Sequence, residues 1–170
     1  ELDKKYGEEK IARSGYSVQT TLNLDWQTKA EAAVSTQVAK LANSNVTNGS
    51  AVIIEPKNGE VRALVGSKDW ENQQFGKYNI ATATRQPGSS FKPIVYATGI
   101  ENKDFSAATI FADKSTDFGG YAPKNYDLKY RGDVTLRRAL ANSLNIPAVL
   151  ALQKAGIDET IQTASKMGLT

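Results

Sequence analysis

Two side chains at the start of a predicted helix could carry nucleophilic chemistry in this chain. Ser89 and Lys92 lie three positions apart within residues 85–93, RQPGSSFKP, and residues at this spacing share one face of a helix. A serine hydroxyl is a poor nucleophile until a neighbouring base removes its proton. The sequence contains no histidine, so Lys92 is the candidate base if burial or nearby cations lower its pKa.

Neither the Ser-x-x-Lys pattern nor a second pattern, Ser-x-Asn, indicates an active site alone, but the two together do. A bare Ser-x-x-Lys pattern occurs about once by chance in a chain of this composition, and its ordinary meaning is a helix cap followed by a surface lysine. Ser143-Leu144-Asn145 lies between two predicted helices and matches the Ser-x-Asn element that accompanies Ser-x-x-Lys in one group of serine enzymes. By itself, Ser143-Leu144-Asn145 is more typical of a turn at the end of a helix.

The residues that flank both patterns resemble one family. Residues 85–93 closely resemble the nucleophile segment of class A penicillin-binding proteins, the bifunctional peptidoglycan synthases, as do residues 125–132 and 136–149. Residues 54–61 look like the first sheet strands of that family, and residues 16–24 resemble the start of its transpeptidase domain. The resemblance extends over nearly the whole chain in the family's order.

This resemblance implies a role for each residue of the two patterns. Ser89 would be the nucleophile that attacks a D-Ala-D-Ala stem peptide, and Lys92 would be the base that activates it. Ser143 would relay protons to the leaving group, and Asn145 would orient the substrate amide. The implied activity is that of a serine-type D-Ala-D-Ala transpeptidase or carboxypeptidase, and β-lactam antibiotics would acylate the same Ser89.

The third element of the family, Lys-Thr/Ser-Gly, does not occur in the sequence. Lys57-Asn58-Gly59 is no substitute, because it lies in a predicted turn before the nucleophile. We therefore expect the C-terminal remainder of the domain to carry the third motif, and we expect this chain alone to be inactive, with an unpaired strand edge and exposed apolar faces. The resemblance also implies a parent protein outside the cytoplasmic membrane, anchored by an N-terminal segment and carrying a glycosyltransferase domain.

The elements that must position these residues are an antiparallel hairpin followed mostly by helices. Residues 51–55 and 60–65 predict two strands joined by a tight turn at Asn58-Gly59, and the apolar first strand suggests burial on both faces. Further predicted elements are a strand at 16–22, a helix from an Asp25 cap to about 41, a helix at about 89–100 and a long loop at 101–131. Three more helices are predicted after this loop: one at 136–141 with a Thr135 cap, one to about 156 with Pro147 in its first turn, and one at 159–166 with an Asp158 cap.

This order predicts an α+β fold, and the resemblance makes it β-lactamase/transpeptidase-like, with helices on both faces of an antiparallel sheet that is incomplete in this chain. We expect residues 1–45 to form a linker and lead-in, and residues 46–170 to form the N-terminal part of the transpeptidase domain.

Composition excludes several other classes of protein. The sequence has no cysteine and no histidine, which removes zinc sites built on those residues and any Ser-His-Asp triad. The net charge of +3 comes from scattered basic residues, whereas a nucleic-acid surface needs them clustered. We find no glycine-rich phosphate loop and no ligand cluster, so the sequence supports no nucleotide or metal cofactor.

Two alternative functions share parts of these patterns. A serine β-lactamase uses the same Ser-x-x-Lys and Ser-x-Asn logic, but class A enzymes deacylate with a Glu-activated water. Glu159, at a predicted helix start, is not convincing as that glutamate. A non-catalytic penicillin-sensing or binding module would be acylated stably, or not at all, and would not turn over a peptide. The flanking residues favour the wall synthase over both.

Overall fold

The computed structural model describes residues 2–169 of the chain. Glu1, in the predicted lead-in 1–45, and Thr170, in the predicted domain part 46–170, lie outside the described residues. These residues form two compact units, of which the first extends to Arg85 and the second begins at Gln86. No helix within residues 2–169 combines the length and the apolar character needed to cross a membrane.

The first unit contains three helices and one hairpin. Its elements are α1 (Leu2–Tyr6), α2 (Glu8–Ser14), α3 (Leu24–Lys40), β1 (Ala51–Ile54) and β2 (Val61–Val65), with short 3₁₀ helices at Ala42–Ser44 and Ile80–Thr82. The two strands pair antiparallel, as predicted, with Ala51 opposite Val65. Gly59 in the turn has φ +73°, a left-handed conformation that glycine adopts at little cost.

Within residues 2–169 only one face of the hairpin is covered, so the burial of β1 on both faces that the sequence suggests is not found in this part of the domain. Helix α3 covers that face, and Ala30 of α3 packs with Ala63 and Val65 of β2. On β1 the side chains alternate, and Val52 and Ile54 are 44% and 52% exposed. Alternation of this kind is typical of an antiparallel sheet with a single covered face.

The segment before α3 also differs from its prediction. Residues 16–22 form no strand. Instead, the Thr21 hydroxyl and the Asn23 N–H donate to carbonyls of β2 over 2.8 Å each, so this segment follows the edge of β2 through isolated contacts. The cap of α3 is Asn23, whose side chain accepts from the Trp26 N–H, whereas Asp25 lies in the first turn and pairs with Lys29 over 2.7 Å.

Within the described residues, the second unit holds four α-helices and a pair of antiparallel strands that a long segment, residues 114–131, connects. Its elements are β3 (Ile110–Asp113), β4 (Gly132–Thr135), α4 (Lys92–Asn102), α5 (Leu136–Ala141), α6 (Asn145–Ala155) and α7 (Ile157–Lys166), with a 3₁₀ helix at Gly88–Phe91. Strands β3 and β4 are antiparallel neighbours. The core between them and the helices is made of apolar side chains from several elements, among them Tyr96, Phe111, Val134, Leu144 and Ala151.

Antiparallel strand pairs with packed helices confirm the predicted α+β class, but some details of the second unit differ. Strand β3 lies within residues 101–131, which were predicted to be a loop, and β4 begins at the residue after that stretch. The predicted cap of α5 is correct, since Thr135 Oγ1 accepts from the Arg138 N–H over 3.3 Å. The predicted Asp158 cap is wrong, because α7 begins one residue earlier, at Ile157, after Gly156.

Candidate active site

Lys92 lies at the centre of the hydrogen bonds that join the predicted site residues. It is the first residue of α4 and only 9% exposed. Its Nζ donates to the Ser143 carbonyl oxygen over 2.6 Å, to Asn145 Oδ1 over 2.6 Å and to Ser143 Oγ over 3.1 Å. These three acceptors match the three N–H donors of a lysine ammonium.

Burial lowers the pKa of Lys92 from its ordinary value. Desolvation penalises the ammonium form, whereas hydrogen-bond acceptors support it, so the two effects oppose each other. None of the three acceptors carries a charge, and the net direction is downward. A buried lysine with a lowered pKa reaches the neutral form more readily and can then accept a proton as a general base.

Ser89 lies one turn before Lys92, in the exposed 3₁₀ helix Gly88–Phe91. Gly88 has φ +55°, so a glycine suits the bend that leads into this segment. The Lys92 N–H donates to the Ser89 carbonyl oxygen, while the side-chain hydrogen bonds of Lys92 within residues 2–169 go to the other two predicted residues and not to Ser89 Oγ. Pro93 occupies the first turn of α4, where a missing N–H costs little.

Ser143 occupies a strained turn between α5 and α6. Its φ is +51°, a left-handed conformation that is uncommon for residues other than glycine. The turn is held by the Ser143 N–H, which donates to the Leu140 carbonyl over 3.0 Å, and by the Leu144 N–H, which donates to the Ala139 carbonyl over 2.9 Å. This conformation directs both the carbonyl and the hydroxyl of Ser143 to Lys92, and backbone strain of this kind is concentrated at functional sites.

Asn145 is the first residue of α6 and is held at three points. Its Oδ1 accepts from Lys92, its Nδ2 donates to the Lys124 carbonyl over 2.7 Å, and its backbone N–H donates to Asn125 Oδ1 over 2.8 Å. The amide of Asn145 is therefore oriented by one donor and one acceptor. The structure thus brings Lys92, Ser143 and Asn145 into direct contact.

Two residues behind this cluster were not predicted from the sequence. Asn125 and Asp113 are 3% and 0% exposed, and Asn125 Nδ2 donates to Asp113 Oδ1 over 2.8 Å. Asp113 ends β3, in a stretch predicted to be a loop, and nothing in its sequence context pointed to the site. Asn125 lies in residues 125–132, whose resemblance to the family was the only signal for it in the sequence.

The described residues 2–169 contain no group of three or more acidic side chains that could hold a metal ion. The cluster around Lys92 consists of one amine, a hydroxyl, carbonyls and carboxamides. Groups of these kinds can exchange protons and form hydrogen bonds.

Comparison with known proteins identifies a family for this arrangement. The family described as the penicillin binding protein transpeptidase domain matches residues 49–170. Penicillin-binding protein 1B of Vibrio cholerae is 37% identical over 99% of this chain and 22% of its own length. Penicillin-binding protein 1F of Bacillus subtilis is 35% identical over 93% of this chain and 22% of its own length. The chain therefore spans about a fifth of these relatives.

Solved structures agree on the fold. The penicillin-binding protein PonA1 of Mycobacterium tuberculosis superposes with a TM-score of 0.80 at 23% identity, covering 96% of this chain and 42% of its own. PonA1 has also been solved in complex with penicillin V. Penicillin-binding protein 1A of Haemophilus influenzae gives a TM-score of 0.63 at 35% identity over 71% of this chain and 18% of its own. The predicted β-lactamase/transpeptidase-like fold is confirmed.

Proposed function

The chain belongs to the transpeptidase domain of class A penicillin-binding proteins, and we propose that its parent protein cross-links peptidoglycan stem peptides through an acyl-enzyme formed on Ser89. Residues 46–170 would be the N-terminal part of the catalytic domain, and residues 1–45 would lead into it. The protein would act outside the cytoplasmic membrane, to which a segment before this chain would anchor it.

In the first step, neutral Lys92 takes the proton of Ser89 Oγ as that oxygen attacks the carbonyl carbon between the two D-alanines. A C–O bond forms and the carbonyl oxygen becomes an oxyanion. When the intermediate collapses, the C–N bond breaks and the terminal D-Ala leaves as an amine. The proton held on Lys92 reaches that amine through the Ser143 hydroxyl, which lies 3.1 Å from Lys92 Nζ.

In the second step, an amine of a neighbouring stem peptide attacks the ester carbonyl. The new amide bond forms as the bond to Ser89 Oγ breaks, and Ser143 with Lys92 carries the proton that the attacking amine loses to Ser89 Oγ. Water in place of the amine gives the carboxypeptidase reaction. A β-lactam follows the first step only, because its ring opens on Ser89 and the leaving nitrogen stays tethered to the acyl group.

The contact of Lys92 with Ser143 and Asn145 is the observation that carries this proposal. A lysine ammonium at a surface needs no such arrangement, whereas Lys92 is nine-tenths buried and reaches residues more than fifty positions away. Its charge is desolvated without a carboxylate partner among its hydrogen bonds, and this favours deprotonation. The exposed Ser89, one turn earlier, is accessible to a large substrate.

The rest of the domain is the partner that this mechanism requires. A Lys-Thr/Ser-Gly segment would bind the substrate carboxylate and supply a second donor to the oxyanion. Loss of one oxyanion donor costs roughly 10²–10³ in rate. We therefore assign the activity to the whole protein, with the stem peptide and β-lactams as its ligands.

The proposal is tested by acylation of the whole protein with a fluorescent penicillin, followed by intact-mass spectrometry and peptide mapping. We expect one adduct, on Ser89, which Ser89→Ala abolishes. Ser90→Ala is the matched control, because Ser90 is the adjacent serine and its hydroxyl donates to the Pro87 carbonyl over 2.5 Å. An adduct elsewhere, or full labelling of Ser89→Ala, would overturn the assignment.

The same sample separates the two alternative functions. An adduct that is hydrolysed within seconds, with rapid turnover of a chromogenic β-lactam, would identify a serine β-lactamase. A stable adduct without any transfer of a stem peptide to an acceptor amine would identify a penicillin-sensing module. A stable adduct together with peptide transfer is the outcome that we expect.

A further inference from the structure

A series of buried polar residues connects the interior of the second unit to the Lys92 cluster. Its inner end is Asp113, a fully buried residue at the end of β3. The Asp113 carboxylate accepts from Asn125 Nδ2 and from the Arg131 N–H, over 2.8 and 3.0 Å, and the Arg131 guanidinium lies 3.9 Å away. Burial of a carboxylate is costly unless hydrogen-bond donors surround it, and these contacts offset that cost for Asp113.

The contacts of Asn125 leave its amide a single orientation. Nδ2 donates to Asp113 and to the Lys129 carbonyl, the latter over 2.8 Å, so a rotation of the amide by 180° would place its oxygen against two acceptors. Asn125 Oδ1 must therefore face the third neighbour, the backbone N–H of Asn145, at 2.8 Å. The carboxylate of Asp113 thus decides which end of Asn125 faces the active site.

This contact supplies a helix cap from a distant segment. The N-cap residue of α6 is Leu144, whose side chain cannot accept a hydrogen bond. The first-turn N–H of Asn145 is satisfied by Asn125 instead, and the carbonyl of the adjacent Lys124 holds Asn145 Nδ2. One dipeptide therefore fixes both the backbone and the side chain of Asn145, and the remaining atom, Oδ1, is directed at Lys92 Nζ over 2.6 Å.

We propose that Asp113 and Asn125 are positioning residues for the active site: through Asn145, they hold the acceptor that fixes Lys92 in place for proton transfer from Ser89. This inference rests on the proposed acyl-transfer function and adds to it two residues that touch neither the substrate nor the serine. Because these two residues affect the placement of the base, their substitution should change the rate constant of acylation and not the affinity for penicillin.

The polarity of the Asp113–Asn125 pair gives a specific test. Asn125→Asp places two carboxylates against each other, and Asp113→Asn turns an amide N–H₂ towards a neighbouring donor. The double variant Asp113→Asn/Asn125→Asp reverses the pair, with residue 113 now donating to residue 125. The reversed pair keeps an acceptor for the Asn145 N–H and one for the Arg131 N–H. It loses the donor to the Lys129 carbonyl and sets a carboxylate oxygen against that carbonyl, so only part of the lost rate should return.

The measurement is the acylation of the whole protein by a fluorescent penicillin, resolved into the rate constant at saturation and the apparent dissociation constant. We expect each single variant to lower the saturating rate constant roughly 10- to 100-fold, with the dissociation constant nearly unchanged, and the double variant to recover part of the loss. Asp127→Asn is the matched control. It removes a carboxylate from the same loop, 2.7 Å from Arg131 Nη2, but not from the series of residues that leads to Asn145, and it should acylate like the wild type.

Melting temperatures and crystal structures separate positioning from folding. Single variants that acylate at the wild-type rate, or a double variant no faster than the slower single variant, would overturn the positioning roles while the adduct on wild-type Ser89 left the proposed function standing. If the wild type itself gave no adduct on Ser89, the proposed function would fail. The distance from Asn145 Oδ1 to Lys92 Nζ in crystals of Asn125→Asp would then decide: an unchanged contact refutes positioning, and a broken one supports it.

Discussion

At the scale of single residues, Lys92 reconciles two opposite requirements. Three acceptors around its Nζ support the ammonium form, whereas general-base chemistry needs the neutral amine. The neutral amine has two N–H donors and a lone pair, so it must release one of the three contacts. The contact to Ser143 Oγ is the longest, at 3.1 Å, and a hydroxyl can turn from acceptor to donor. Loss of a proton from Lys92 would therefore allow the Ser143 hydroxyl to donate to the lysine lone pair, as the proposed proton relay requires.

The first prediction concerns the pH dependence of acylation. The rate of penicillin acylation should rise with pH through the pKa of Lys92, because only the neutral amine accepts the Ser89 proton. Burial lowers this pKa from the ordinary 10.5, so the rise should be centred below that value. In Lys92→Arg the guanidinium stays charged, and we expect a loss of about 10²–10⁴ in rate and no such rise. Stopped-flow labelling across pH measures both.

The same shift has a consequence for stability. The unfolded chain keeps the ordinary lysine pKa, so between the lowered pKa and 10.5 the unfolded state binds more protons than the folded state. The free energy of unfolding contributed by Lys92 must therefore rise with pH in that window. A pH profile of acylation centred at or above 10.5 would contradict both statements.

The second prediction separates the backbone of Ser143 from its hydroxyl. Ser143→Gly and Ser143→Ala both remove the hydroxyl that contacts Lys92, and both should lower acylation. Only glycine relieves the left-handed φ of +51°, so Ser143→Gly should be about 1 kcal/mol more stable than Ser143→Ala. Thermal melting of the two variants of the whole protein measures the difference. Equal melting temperatures would mean that the turn relaxes without strain.

At the scale of elements, the position of α4 depends on a close approach at Gly99. A Cβ on Gly99 would overlap the ring of Phe105. That ring is held in turn by Phe111, with centroids 5.4 Å apart at 75°. Helix α4 therefore packs here at a distance that only glycine permits, and Lys92 lies at the other end of the same helix.

The third prediction sets helix propensity against this packing. Alanine is favoured over glycine inside a helix by about 1 kcal/mol, whereas overpacking of a core costs about 1–3 kcal/mol. Because the Phe105 ring is itself packed, we expect the steric term to be larger and Gly99→Ala to lower the melting temperature. Adding Phe105→Leu should recover part of the loss. A higher melting temperature for Gly99→Ala alone would show that the ring moves freely.

Element by element, the sequence predicts what is encoded locally. The helix over 24–40, the hairpin turn at Asn58-Gly59 and the Thr135 cap depend on periodicity and on single turn or cap residues, and all three were predicted. Strands β3 and β4 are as short as β1, but no tight turn joins them to mark the pair in the sequence, and their pairing is a tertiary event. Residues 16–22 alternate like a strand but are held by isolated contacts to β2.

The site shows the same division. Lys92, Ser143 and Asn145 were named from motifs and family resemblance, and their mutual contacts were found only in the structure. The catalytic roles of these residues and of Ser89 stay predictions. Asp113 and Asn125 carry no motif of their own, because their importance arises from contacts across 12 to 20 positions. Only the folded arrangement reveals which end of the Asn125 amide faces α6.

At the scale of the whole molecule, the chain is a fraction of the proteins that it resembles. It spans 22% of the relatives from Vibrio cholerae and Bacillus subtilis. The sequence carries the first two motifs of the family and lacks the third. Strand β1 pairs with β2 along one edge. Its side chains Val52 and Ile54 are 44% and 52% exposed and form an apolar surface on the uncovered face of the hairpin.

The last prediction compares these 170 residues alone with the whole protein. Without a Lys-Thr/Ser-Gly segment the oxyanion lacks a donor, which costs roughly 10²–10³ in rate, and the substrate carboxylate loses its binding group. We expect the chain alone to be acylated at Ser89 at least about 100-fold more slowly than the whole protein.

Because Val52 and Ile54 stay exposed in the chain alone, it should also bind more of a hydrophobic dye. Circular dichroism with native-like helix content is the control that the chain has folded. Acylation of the folded chain at the rate of the whole protein would show that Ser89, Lys92, Ser143 and Asn145 suffice, and that the third motif adds nothing to this step.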